Sequence, residues 1–379
     1  MKEGGIYIHI PFCRNKCLYC DFYSGGARIA DWENYIGSVV NELKCREEEL
    51  RFEPVTLYIG GGTPSLIPLK NLEDLLNGIS GISGINKWKE LTLEVNPEDV
   101  SRELCHEWWQ MGIDRISMGL QSLNDEELRL IGRRHDSKTG IRALNLLKEE
   151  FDNISVDLMF GLPGQTSMSY EKTLERIISL RPTHLSAYSL MLESGTAMTI
   201  LADKGRITLP REDEWIEMFR ITQDKSKEGG YRRYEISNYS IPGYESHHNG
   251  NYWNGSPYIG LGPGAHSYDG ERIRRANPQD IKGYVKFYKE YEKKENLFFE
   301  EEVLNENELK EEMIMTRLRT VKGLNLHEYE ELFGKEKKNI LLQEASDFIN
   351  QGQMEENNGY LRFEDRGFLI SDIILSRLI

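Results

Sequence analysis

Residues 5–23 read GIYIHIPFCRNKCLYCDFY, and the fold turns on this stretch. Its first part, Ile6–Ile10, has the composition of a short strand, and the rest crowds Cys13, Cys17 and Cys20 into a C-x3-C-x2-C loop. Three soft anionic ligands so close together suit a metal centre, because one short loop can wrap them around a single ion or cluster. Structural zinc usually takes four protein ligands, and only His9 stands near as a fourth. A [4Fe–4S] cluster on three cysteines would leave one iron open to a chelating small molecule. A zinc loop and three buried thiols remain the alternatives at this point.

Working outward, comparable strand-like runs recur at Val55–Ile59, Leu91–Val95, Arg115–Met118, Ile154–Phe160 and His184–Leu190. Helix-period stretches lie between them: Trp32–Phe52, Asn71–Ile79, Arg102–Met111, Asp125–Ile131, Lys138–Glu150 and Tyr170–Leu180. Six strand–helix units in series predict a parallel sheet, since parallel neighbours need a crossover and a helix supplies it. The expected class is α/β, an incomplete (β/α)6 TIM-like barrel over residues 1–200. The loops HIPFC, GGGTPS, EVNPED, MGLQS, DLMFGLPGQT and AYSLMLE follow the strands. The chemistry is therefore expected at the carboxyl ends of the strands.

The repeat is lost after about residue 200. Residues 201–295 read as an accessory extension carrying HHNGNYW and YIGLGPGAHSY, and residues 296–379 as a smaller C-terminal domain. That block shows helix patterns near Glu308–Thr320, Leu326–Phe333 and Lys337–Gln351. MEENNGYLRF follows, with Asn-Asn-Gly as a hairpin turn, and the whole resembles a winged helix.

Charge and composition narrow the partners. The 379 residues carry a formal net charge of −15, which argues against nucleic acid or an anionic membrane face. Residues 305–379 hold 10 Lys/Arg against 15 Asp/Glu, so DNA binding is not expected even of the winged-helix-like block. No apolar run is long enough to span a bilayer and no secretory segment precedes Tyr7, so a cytoplasmic location is expected. Five cysteines, three of them in one loop, fit a reducing compartment better than a disulfide framework. Cys45 and Cys105 fall within helix patterns and are assigned to packing. His135 and His266 are read as hydrogen-bonded structural histidines.

The cysteine loop after a first barrel strand, with Tyr19 before the third cysteine, resembles the radical S-adenosylmethionine (SAM) superfamily. GGGTP, EVNPE, MGLQS, GRRH and DLMFGLPGQT extend the resemblance over nearly the whole chain, which is similar to the coproporphyrinogen oxidase-like branch. The resemblance implies a [4Fe–4S] cluster on Cys13, Cys17 and Cys20. It also implies SAM contacts at Tyr7, Tyr19, Gly62, Thr63, Glu94, Gln121, Arg133 and Asp157. The residue types suit such a cradle. Glycine lets backbone approach a ligand, Arg133 carries a fork of donors for a carboxylate, and Glu94 can take an ammonium. Gln121 and Asp157 suit ribose hydroxyls, and Tyr7 and Tyr19 can line the cluster and adenine.

Two features separate the members of that branch. The oxidases carry a further cysteine two residues after the third, where this sequence has Phe22, and an N-terminal extension; here six residues precede Tyr7. HNGNYW, from His248 to Trp253, instead resembles the motif of the branch's heme chaperones. Histidine can ligate heme iron and aromatic rings can cover a porphyrin, so His248, Tyr252 and Trp253 are the heme candidates. The opposing reading makes the motif a packing device that pins the extension to the barrel. The expectation is a heme-binding trafficking protein with heme as cargo, a heme-accepting apoprotein as partner, and an electron donor if SAM is cleaved. The rival is an enzyme that decarboxylates a tetrapyrrole, such as an oxygen-independent coproporphyrinogen III oxidase.

Overall fold

In the computed structural model, which describes residues 1–26, 31–290 and 297–379, the six anticipated runs are strands. Ile6, Ile8 and Ile10 are fully buried in β1 (Glu3–Ile10), as two-residue periodicity requires of one face. A two-residue bridge then joins β2 (Phe12–Cys13) to β3 (Gly25–Gly26). The array continues through β4 (Glu53–Gly61), β5 (Glu90–Val95), β6 (Arg115–Gln121), β7 (Asn153–Phe160) and β8 (His184–Ser189). Each neighbour in the order β1-β4-β5-β6-β7-β8 is parallel.

The crossovers are α1 (Trp32–Cys45), α2 (Leu69–Ser83), α3 (Arg102–Gln110), α4 (Asp125–Leu130), α5 (Ser137–Leu147) and α6 (Ser167–Leu180). Their starts follow local chemistry. Asp31, Ser101, Asn124, Asp136 and Thr166 each accept a backbone N–H of the first turn. Cys105 is fully buried in the core and Cys45 is partly buried against it.

The array does not close. After α7 (Ala197–Asp203) and α8 (Glu212–Glu228), the antiparallel strands β9 (Arg232–Arg233) and β10 (Asn238–Ser240) extend the edge beyond β8. Beyond α9 (His247–Asn254), β11 (Tyr258–Leu261) returns to lie parallel to β1 at the opposite edge. The antiparallel strands β12 (His266–Tyr268), β13 (Ile273–Ala276) and, past α10 (Ile281–Tyr288), β14 (Glu300–Val303) add to it. One twelve-stranded sheet results. The segment after residue 200 thus supplies both edges of the sheet that the first 200 residues begin. The 295/296 boundary falls outside the described residues.

The last part holds α11 (Glu306–Leu318), α12 (Leu326–Phe333) and α13 (Lys335–Asn350) with a three-stranded antiparallel wing, β15 (Leu324–Asn325), β16 (Met354–Asn357) and β17 (Tyr360–Phe363). Asn358 and Gly359 take φ of 52° and 79° between β16 and β17, the positive values that a two-residue hairpin turn needs. Two further helices, α14 (Asp365–Leu369) and α15 (Ser371–Leu378), end the chain. Among the described residues no helix is long and apolar enough to cross a membrane.

Candidate functional site

The cysteine loop is tied down on several sides. Leu18 N–H donates to Ile131 O at 3.1 Å, and Leu18 O accepts from Met198 N–H at 2.9 Å. Cys20 N–H turns back to Cys17 O at 3.3 Å, and Gly62 N–H reaches Ile10 O at 2.8 Å. A Cβ at Gly62 would stand 2.8 Å from the carbonyl oxygens of Ile10 and Phe12 and 2.9 Å from Cys13 Sγ. Glycine is what lets the second strand loop press against the cysteine loop.

Cys13, Cys17 and Cys20 all line one cavity of about 450 Å³ at the carboxyl ends of the strands. Among the described residues no preformed set of His, Cys, Asp and Glu side chains is already arranged around an ion. Burial pushes the Cys20 thiol up to about 11 and raises that of Cys13. A positive centre is what would hold them as thiolates. Three sulfurs on one wall of a cavity, with no fourth cysteine or histidine lining it, fit a cluster with an open iron better than a closed zinc site.

The polar residues expected around a cofactor meet in the same cavity. Glu94 ends β5, accepting from Tyr58 Oη at 2.7 Å and Gly61 N–H at 3.0 Å. Burial, reinforced by the nearby Asp157 charge, pushes its carboxyl up to about 7 against those hydrogen bonds. Asp157 accepts from Ser117 Oγ at 3.2 Å and Ser155 Oγ at 3.3 Å, and burial raises its pKa. Arg133 donates to Asn96 Oδ1 at 2.7 Å and to Gly119 O, with Cys17 Sγ 3.6 Å away. Burial disfavours its charge, yet the neighbouring Tyr19 and Cys17 hold its pKa above the ordinary arginine value.

Among the described residues, Gln121, at φ 69°, has no partner for its buried Oε1, nor Arg133 for its Nε. Such orphaned groups around a cavity fit a polar ligand. Gly62, Thr63 and Tyr19 also reach the wall. Tyr7 does not; its hydroxyl sits 3.0 Å from His9 Nδ1 and its ring lies toward Tyr58 and His248. The cavity also includes Tyr58, Asn96, Arg115 and Ser117, to which the sequence reading gave no role. Arg115 carried one signal: a charged residue opening a strand run, with Ile116 and Met118 as its apolar positions.

The radical SAM superfamily model matches residues 7–177 and the HemN C-terminal domain model residues 304–370. A Lactococcus lactis protein named heme chaperone HemW is 33% identical over 381 aligned residues, covering 100% of this chain and 98% of that protein. The chain belongs to the HemW family. A Bacillus subtilis heme chaperone HemW is 32% identical with 98% of both chains covered. The Escherichia coli protein of that name is 34% identical over 74% of this chain and 75% of its own. The solved coproporphyrinogen III oxidase HemN of Escherichia coli matches with a TM-score of 0.83 at 21% identity, covering 100% of this chain and 90% of that one. That match fixes the fold, a radical SAM barrel.

Phe22 is 60% exposed and lines the mouth of the cysteine cavity. The HNGNYW segment reaches the same cavity through Asn249. It is helix α9, with Gly250 inside the helix. Glu90 caps it, accepting from Ser246 Oγ at 3.1 Å and from His247 and His248 N–H at 2.9 Å each. His248 is 1% exposed, with Nδ1 2.9 Å from Thr56 Oγ1 and Nε2 2.9 Å from Tyr252 Oη. Its ring stacks on Tyr58 at 5.1 Å. Burial, helped by the Arg115 charge, pushes its pKa down to about 3. Neither ring nitrogen is open to iron in this arrangement. Tyr252 packs edge-on against Tyr258 at 4.8 Å, and the Trp253 carbonyl accepts from Arg317 on α11. The motif packs the extension onto β1 and β4 and meets the C-terminal block.

Proposed function

We propose that this chain is a heme chaperone that binds heme and hands it to an apoprotein, on a scaffold that carries a [4Fe–4S] cluster and SAM. The observation that carries the reading is the convergence of Cys13, Cys17 and Cys20 on one polar cavity with Phe22 at its mouth, in a chain that aligns end to end with proteins named heme chaperones. Cys13, Cys17 and Cys20 would hold the cluster, which supplies an open iron for a chelating ligand and one-electron chemistry. Arg133, Asn96, Gln121, Glu94 and Asp157 would orient the ligand beside it. Glu94, with its pKa about 7, can hold a proton or offer a carboxylate to an ammonium near neutral pH.

Phe22 favours the chaperone over the oxidase, because an exposed phenyl ring at the mouth offers an apolar contact and no thiol chemistry. Anaerobic reconstitution tests the reading. Wild type and Cys45→Ala should take up about four irons per chain, and Cys13→Ala, Cys17→Ala and Cys20→Ala should not. Wild type should bind heme and should not turn over coproporphyrinogen III. Iron uptake indifferent to the three cysteines removes the cluster, and sustained SAM-dependent turnover makes the protein an oxidase.

A further inference from the structure

A second cavity, of about 350 Å³, opens between β7–β8, helix α8 and the last two helices. Its size falls in the range of roughly 300–1,000 Å³ that holds cofactor-sized ligands. The walls are aromatic and flat. Trp215 and Phe219 stack at 6.1 Å with only 14° between their planes, and Phe160 lies 5.6 Å from Trp215. Phe368 closes the opposite side from α14, and Ile373 and Met191 stand at the cleft 61% and 64% exposed. Exposed apolar side chains gathered at one cleft mark a binding surface more than scattered ones do.

Two relations narrow the occupant. Tyr188, Ser189 and Met191 line both this cleft and the cysteine cavity, so a ligand here is a neighbour of whatever the cysteines hold. Arg233, 8% exposed and donating to Tyr239 Oη at 3.1 and 2.6 Å, lies 4.7–5.1 Å from the ring centroids of Phe219, Tyr239 and Phe368 and braces them from outside the cleft lining. Flat, braced aromatic walls suit a planar aromatic ligand.

We infer that this cleft, and not the HNGNYW helix, receives the tetrapyrrole macrocycle. The inference rests on the chaperone reading above and gives its cargo a place. The walls contact the ring and not the iron, so metal-free protoporphyrin IX binds nearly as well as heme. Met191, at the junction of the two cavities, is the sulfur donor nearest at hand for iron. A thioether on an exposed side chain is a weak ligand and suits cargo that must leave.

The test uses the reconstituted full chain and four proteins: wild type, Ile373→Glu, Ile373→Leu and Trp215→Phe. Ile373→Glu places a charge at the apolar mouth and should weaken heme and protoporphyrin IX at least tenfold with wild-type iron–sulfur content. Ile373→Leu should bind as wild type does. Trp215→Phe should lose a clear share of the tryptophan quenching that protoporphyrin IX produces. Wild-type affinity in a folded Ile373→Glu protein, with unchanged quenching in Trp215→Phe, overturns the site while leaving the chaperone reading intact. A wild-type protein with no affinity for heme overturns both.

Discussion

Replacing His248 by alanine separates a structural histidine from a heme ligand. The side chain fills a fully enclosed position between β4 and Tyr252, stacked on Tyr58. Thr56 Oγ1 keeps a second partner, Asn251 Nδ2 at 3.3 Å. Tyr252 Oη loses the partner it has, a cost of about 1–3 kcal/mol. The vacated ring volume adds a cavity, and large-to-small core changes of this kind cost about 2–5 kcal/mol in total. A loss of about 3 kcal/mol is expected, which moves a urea midpoint by about 1 M if the slope is about 3 kcal/mol/M.

The loss should shrink below about pH 6.5. Native His248 stays neutral while the unfolded imidazole takes a proton, so acid destabilises wild type through this group and cannot do so in the variant. Gly5→Ala is the companion. Its Cβ would stand 2.8 Å from Thr56 Oγ1, 2.9 Å from His248 Nδ1 and 3.0 Å from Asn251 Nδ2, so it disturbs the same contact without removing an imidazole. Urea titration and heme titration by absorption on both variants are the assays. Lower midpoints with wild-type heme spectra are expected for both. A folded His248→Ala protein with a wild-type midpoint and lost heme binding would refute the packing argument.

Gly62→Ala should lower iron–sulfur content by about half or more while the chain remains folded, because its Cβ meets two backbone carbonyls and Cys13 Sγ under 3.0 Å; such overpacking costs about 1–3 kcal/mol. Iron and sulfide analysis after reconstitution checks it, and wild-type content would show that the loop can yield. Glu235 is 1% exposed, and burial pushes its carboxyl up to about 7. The folded state therefore binds a proton that the unfolded chain releases near the ordinary glutamate value, and the contribution of this group to stability should fall by up to about 3 kcal/mol as pH rises from about 4.5 to 7. Glu235→Gln removes that fall, so its stability relative to wild type should rise across the window. Parallel pH profiles for the two proteins would place the proton elsewhere.

The six strands, their parallel order and the end that carries the site were legible in the sequence, because strand periodicity, helix caps and glycine-rich loops are local signals. Ile6, Ile8 and Ile10 announce a buried strand, and Ser101 and Thr166 announce helix starts, from their own neighbours alone. The cysteine spacing marked the loop for the same reason: its three cysteines lie within eight residues. What the sequence left open depends on contacts between distant residues. β11 pairs with β1 across some 250 residues, and no local pattern names a strand's partner. HNGNYW suggested a ligand because histidine and aromatics are chemically able to serve as one. Only the folded chain shows Thr56 from β4 and Tyr252 one turn along α9 occupying both nitrogens of His248. Arg115 and Asn96 join the site, and Tyr7 leaves its wall, on the same ground. A residue type sets what a side chain can do, whereas burial and the partners that tertiary packing brings decide whether it is free to do it.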